Sequence, residues 1–155
     1  MRRLFIVLQL VCLFAVALPA EAATGRVIKV LPQFLDLQGR HTLSPSLYER
    51  DAYQAYLRQH PEKQSGLRLA VEWKARGRSA APLKLRVELR GAAQGGRLPG
   101  QTVLEQDVKP GGWFRHWTSL ALAGEEYNKF GEVTAWRVTL WEGGRLLSEQ
   151  KSFLW

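Results

Sequence analysis

Apolar and polar residues alternate strictly along two stretches of the chain. Leu67, Leu69, Val71 and Trp73 are interleaved with Arg68, Ala70, Glu72 and Lys74. Leu83, Leu85, Val87 and Leu89 are interleaved with Lys84, Arg86, Glu88 and Arg90. A two-residue period sends successive side chains to opposite faces, so each stretch predicts a strand with one buried and one wet face. The turn between them, residues 77–82, is short enough for an antiparallel hairpin.

Weaker versions of this pattern predict further strands. Residues 25–37 carry Val27, Ile28, Val30 and Leu31, but Pro32 cannot donate to a ladder and points to an edge strand or a bulge. Residues 102–108 follow a Gly-rich loop at 91–101, and 109–112 read as a turn. The strand expected at 113–122 puts Trp113, Trp117 and Ala121 on one face and Phe114, His116, Leu120 and Leu122 on the other. Residues 123–131 read as a loop carrying Glu125, Glu126 and Tyr127. Segments 132–141 and 145–154 flank Gly143-Gly144, a pair that permits the positive backbone angles of a tight hairpin. A two-residue loop sets Leu140 opposite Leu147 and Trp136 opposite Lys151, whereas a three-residue loop sets Leu140 beside Leu146; both registers stand open. An unpaired last strand would offer its edge to a partner by strand addition.

The period changes to helical only once, at 44–59. Ser44 suits the cap, Pro45 the first helical position, and Tyr48, Ala52, Ala55 and Tyr56 recur at helical spacing. His60-Pro61 ends it, because a residue before proline is pushed out of the α region. The competing reading makes Tyr48, Tyr53 and Tyr56 part of an extended arm over the sheet. About seven strands with one short early helix predict an all-β, mainly antiparallel domain, a β-sandwich of immunoglobulin or fibronectin-III-like architecture. The Cys…Trp…Cys pattern of true immunoglobulin domains is absent, so the likeness is one of architecture alone.

The first 22 residues stand apart. Met1-Arg2-Arg3 is a short positive start, residues 4–18 are apolar except for Gln9, and Pro19-Ala20-Glu21-Ala22 supplies small residues where a signal peptidase reads. That order predicts a secretory signal cut between Ala22 and Ala23, leaving a single domain over 23–155. A retained anchor is the competing reading, but a span needs about 20 apolar residues, and this run ends in a helix-breaking proline. The expected location is the periplasm or the exterior of a bacterial cell, with no transmembrane span after cleavage.

This leader changes how composition is read. It carries off Cys12, the only cysteine, so the mature chain has neither disulfide nor thiol chemistry. Loss of Arg2, Arg3 and Glu21 takes the formal charge from +8 to +7. In the cytosol such an excess would suggest nucleic acid; behind an export signal the reachable anions are lipid headgroups, acidic polysaccharides and acidic proteins. Solubility alone also accounts for charge spread along strands.

Candidate chemistry is sparse. His41, His60 and His116 lack the spacing of metal ligands, and His116, alternating with apolar residues, is expected to pack against the core. No Gly-x-Ser-x-Gly elbow, Ser-x-x-Lys signature or phosphate loop occurs. Asp36, Glu49, Asp51, Glu125 and Glu126 are the carboxylates a motif-free hydrolase would draw on. No cofactor is expected. A terminal strand ending in Trp155 would suit an outer-membrane barrel, but Glu149 and Lys151 would then share its lipid face, where charges are costly.

All six tryptophans lie beyond the leader. Trp73 and Trp136 are expected in the core. Trp117 and Trp141 share faces with Arg115 and Arg137, and these four residues form the candidate ligand or partner surface, unless an N-terminal arm buries them. The function expected is that of a non-catalytic interaction or structural domain of the cell envelope. Its partner would be an envelope protein, an acidic polysaccharide or another glycan. A carbohydrate-binding sandwich should expose two or more tryptophans in a row on one face; a secreted hydrolase should gather two carboxylates, or a Ser–His pair, in a concave pocket.

Overall fold

A computed structural model of the protein describes residues 23–77, 81–92, 100–109 and 114–155. The expected signal peptide with Ala22, the turn and loop residues 78–80, 93–99 and 110–112, and Trp113 lie outside the described residues. Seven strands appear in chain order: β1 (Thr24–Asp36), β2 (Gln64–Arg76), β3 (Leu83–Gly91), β4 (Gln101–Val108), β5 (His116–Ala123), β6 (Val133–Glu142) and β7 (Arg145–Lys151). They form two antiparallel sheets, ordered β1-β2-β5 and β4-β3-β6-β7. The domain is an all-β sandwich with two helices, α1 (Leu47–Gln59) and α2 (Gly124–Phe130).

The alternating stretches lie where the pattern puts them. Leu67, Leu69, Val71 and Trp73 of β2 face Leu83, Leu85, Val87 and Leu89 of β3 across the core, all at most 4 % exposed. Trp73 donates its indole N–H to Thr118 Oγ1 (2.9 Å), and His116 packs on its ring in a tilted arrangement with centroids 5.1 Å apart. The expected pairing of these two strands is corrected, however. β2 lies between β1 and β5 and β3 between β4 and β6, so the chain crosses from one sheet to the other between them. Alternation says which side chains face inward; it carries no information about which strand lies alongside.

Pro32 does sit on an edge strand, paired with Leu69, while the irregularities of β1 fall elsewhere, between Leu35 and Asp36 and between Val27 and Lys29. At the second of these β1 meets side chains of β7. The Val27 N–H donates to Ser148 Oγ (3.0 Å), and the Gln150 amide donates to the Val27 and Ile28 carbonyls (3.3 and 3.1 Å). These bonds tie β7 side chains to the backbone of β1, while β7 is the terminal strand of its sheet, with β6 as its strand neighbour.

The final hairpin follows the two-residue register at its turn and departs from it farther along. Gly143 takes a left-handed φ of 53°, and Glu142 pairs Arg145 and Trp141 pairs Leu146, as a two-residue loop requires. A bulge then intervenes, and Leu140 pairs Ser148. The bulge turns Leu147 toward the core, where β1 crosses at Gly25: a Cβ there would lie 2.7 Å from Leu140 and 2.8 Å from Leu147. Glycine is needed at this crossing for space.

Both helical segments also correct expectation. The cap of α1 is Ser46, accepting from the Glu49 N–H, and Ser44 lies outside, its hydroxyl accepting from the Ser46 N–H. The face built on Tyr48, Ala52, Ala55 and Tyr56 is the exposed one, with Tyr48 84 % accessible; Gln54 and Leu57 are buried. Gln54 wins this place through its amide, which accepts from the Phe34 N–H (2.7 Å) and donates to the Phe34 and His41 carbonyls (2.9 and 2.8 Å). The segment expected as a loop around Glu125 is α2, whose Tyr127 is buried and donates to Gln64 Oε1 (2.8 Å).

Candidate functional site

The sandwich has two outer faces, and the four residues singled out by sequence divide between them. Arg115 and Trp117 belong to the face of β1-β2-β5, whereas Arg137 and Trp141 belong to the face of β4-β3-β6-β7. They do not make one surface.

On the four-stranded face every strand contributes charge, and the charges compensate. Lys84 pairs with Glu105 (2.9 Å), Arg86 with Glu88 (2.9 Å) and Glu105 (3.7 Å), and Arg137 with Glu88 (2.5 Å) and Glu149 (3.7 Å). Trp141 lies half-buried, its indole N–H on Thr139 Oγ1 (2.8 Å). The C-terminal turn closes the rest. Ser152 donates its N–H to the Trp136 carbonyl and accepts the Trp136 N–H on its hydroxyl, carrying Trp155 back over the sheet. There the Arg90 and Arg137 guanidiniums lie 3.9 and 4.8 Å from the Trp155 ring centroid, a cation–π arrangement. Arg137 and Trp141 thus both have intramolecular partners.

The three-stranded face is half covered. α1 and the segment 37–46 lie over its lower part, where outward-facing Leu35, Gly66 and Ala70 are buried. The cover is fastened by two polar pins. Asp36 accepts from the Gln38 and Arg40 N–H groups (2.9 and 2.8 Å), Arg40 Nε (2.9 Å) and the Tyr53 hydroxyl (2.7 Å). Burial pushes this carboxyl up, but the Arg40 N–H, the Tyr53 hydroxyl, the Arg40 guanidinium and the Gln38 N–H outweigh it and hold the group down at about 2. The second pin joins Arg68 Nη1 to His41 Nδ1 (2.9 Å); burial, then the Arg68 and Arg50 charges, lower His41 below its ordinary 6.5. A neutral imidazole is what can accept from the guanidinium.

Among the described residues, nothing comparable covers the upper part. Cross-strand register brings Arg26 opposite Lys74, and aligns Lys29, Glu72 and Trp117 in one row across all three strands. Arg115 reaches Glu72 (3.3 Å), and Arg76 continues the β2 row beside a shallow depression lined by Thr24, Gly25, Arg26, Lys74 and Arg76. Trp117 is 53 % exposed. Among the described residues this patch therefore holds five cations and one carboxylate around an open indole. Sequence reasoning found Arg115 and Trp117 and missed Arg26, Lys29, Lys74, Arg76 and Glu72. A faint signal existed in the clustered basic residues at 26–29 and 74–76, but strand pairing alone makes them neighbours.

The carboxylates considered for hydrolysis do not converge. Asp36 is a structural pin, Asp51 pairs with the adjacent Arg50 (3.2 Å), Glu125 pairs with Lys129 (3.7 Å), and Glu49 follows the cap of α1. A second depression, between β1 and α1, holds Asp51 with Arg50, Arg58 and Gln54 and contains neither a second carboxylate nor a Ser–His pair. The histidines are dispersed: His60 stacks on Tyr56 (4.2 Å), while His41 and His116 are engaged as above. Among the described residues no three His, Asp or Glu side chains gather as a metal site would need, and no helix is long and apolar enough to cross a membrane.

Comparison of the chain with known protein families, curated proteins and solved structures finds no match in any of the three.

Proposed function

We propose that this chain is an exported, non-catalytic interaction domain of the bacterial cell envelope, working through the open part of the three-stranded face. One observation carries the reading: Arg26 stands directly opposite Lys74 beside exposed Trp117. Like charges directly opposite each other destabilise a sheet, and an exposed tryptophan at such a place has apolar area to offer a partner. A domain that keeps both has a use for them.

Of the two sandwich types expected, the fibronectin-III-like one is favoured. An immunoglobulin constant domain places its fourth strand in the sheet with the first, second and fifth; here the fourth strand lies beside the third. The neutral-sugar alternative, which calls for a row of exposed tryptophans, is less favoured, since on the described part of this face Trp117 stands alone.

Two measurements test the proposal on the full-length gene product in a bacterial host. Fractionation with intact-mass determination should find the chain outside the cytoplasm with the mass of residues 23–155; a full-length cytosolic chain overturns export. Exported protein should co-sediment with cell-envelope material, and Arg115→Ala with Trp117→Ala should release it. Undiminished sedimentation of that variant overturns the assignment of the face.

A further inference from the structure

We infer that the ligand of the open face is an acidic polysaccharide, a hydroxyl-rich chain bearing carboxylate or sulfate groups. This rests on the interaction reading above and names the chemistry of its partner. Lys29, Glu72 and Trp117 occupy consecutive strands of one row. With strands about 4.8 Å apart, that row spans ~10 Å, room for two linked sugar rings laid flat across the sheet. The indole of Trp117 offers a ring face for stacking. Lys29 at the far end, with Arg26 and Lys74 in the next row, meets acidic substituents.

The carboxylate in the middle decides between polyanions. Glu72 has a side chain only 12 % exposed and is held by Arg115. It accepts hydrogen bonds and donates none at neutral pH. A sugar hydroxyl can donate to it all along such a chain, whereas the phosphates of a nucleic acid cannot and are repelled, leaving only base N–H groups to reach it. A membrane surface fits poorly as well. Interfacial binding needs an apolar face that sinks below its cations, whereas among the described residues the strands of this face expose Trp117 as their one aromatic side chain, with Phe114 exposed just before β5.

The test uses the full-length gene product, purified from whichever fraction it occupies, with four immobilised probes: polygalacturonate, neutral dextran, a single-stranded oligothymidylate, and phosphatidylglycerol vesicles. Polygalacturonate should be retained, and raised salt should weaken it steeply. Arg26→Gln with Lys74→Gln should weaken it about tenfold, and Trp117→Ala roughly fivefold, an order set by charge pairing and ring stacking respectively. Lys84→Gln with Lys151→Gln removes the same charge from the other face and should change binding by less than about twofold, because both faces share any non-specific attraction equally. Unaltered melting temperatures establish that the variants fold. Tighter binding of the oligonucleotide or the vesicles, no retention of polygalacturonate, or equal losses from the two double variants each overturn the inference. An exported chain that sediments with the envelope yet ignores polygalacturonate leaves the interaction reading standing; a cytosolic chain that prefers the oligonucleotide removes both.

Discussion

The two outer faces of this sandwich are made from the same kinds of residue and end in opposite electrostatic states. On the four-stranded face, β4 brings Glu105 and Asp107 alongside Lys84 and Arg86 of β3, and the tail lays Trp155 over the remaining arginines. On the three-stranded face, β1 and β2 both bring a cation to the Arg26–Lys74 row, and only Glu72 and Lys29 are paired across the register with opposite sign. The difference lies in which strands are neighbours, since both faces alternate in the same way. One face satisfies its charges within the fold, whereas the other keeps like charges opposed and an indole uncovered.

The largest expected effect separates inside from outside on one strand pair. Trp73 and Trp117 lie on opposite sides of the three-stranded sheet, 2 % and 53 % exposed. Trp73→Ala empties a core site and strands Thr118, so it should cost about 3–5 kcal/mol. Trp117→Ala should stay within about 0.5 kcal/mol. Denaturant midpoints of the two variants measure both, and a comparable loss from each would mean that Trp117 is part of the packing.

Next comes the cover that leaves half of that face open. Asp36→Asn removes a charged acceptor of four hydrogen bonds and should cost roughly 1.5–3 kcal/mol. Its pH signature follows from the lowered pKa. The native group titrates at about 2 instead of 3.8. Its contribution is therefore fully present above the unfolded value and is lost as pH falls from 3.8 toward 2. The wild type should lose stability relative to the Asn variant across that window, as thermal melts at stepped pH would show. Parallel curves would assign the acid sensitivity elsewhere.

The finished face should be moderately sensitive. Trp155→Ala leaves Arg90 and Arg137 without their aromatic partner and should cost about 1–2 kcal/mol, with Trp155→Phe restoring part of it. Polygalacturonate binding should be unchanged in both variants, since this side is closed on itself.

How much of this was legible follows from what each pattern encodes. Period two located β2 and β3 and sorted Leu69 from Arg68, because side-chain direction is local. It could not show that β2 and β3 belong to different sheets, because pairing is decided by every strand at once. Helical spacing located α1 but selected the wrong face, since Gln54 is buried for hydrogen bonds to Phe34 and His41 that no apolarity pattern records. The two-residue hairpin register holds for Glu142–Arg145 and Trp141–Leu146 and fails beyond a bulge at Leu140, beside which Gly25, more than a hundred residues away in the chain, packs on Leu147. The candidate site was half legible for the same reason. Arg115 and Trp117 are near in sequence, whereas Arg26 and Lys74 become neighbours only through β1 and β2.

The smallest expected effect is the most discriminating, because its sign is unusual. Arg26→Glu turns the like-charge pair with Lys74 into an attractive one on an exposed edge strand. A cross-strand pair of opposite charges contributes roughly 0.2–1 kcal/mol, so this variant should be more stable than the wild type by about that amount, more so at low salt. Polygalacturonate binding should fall in the same variant. Stability gained where binding is lost is the trade expected of residues kept for a ligand. A neutral or destabilising result, with binding intact, would mean that Arg26 and Lys74 already avoid one another and that the open face carries its charge at no cost.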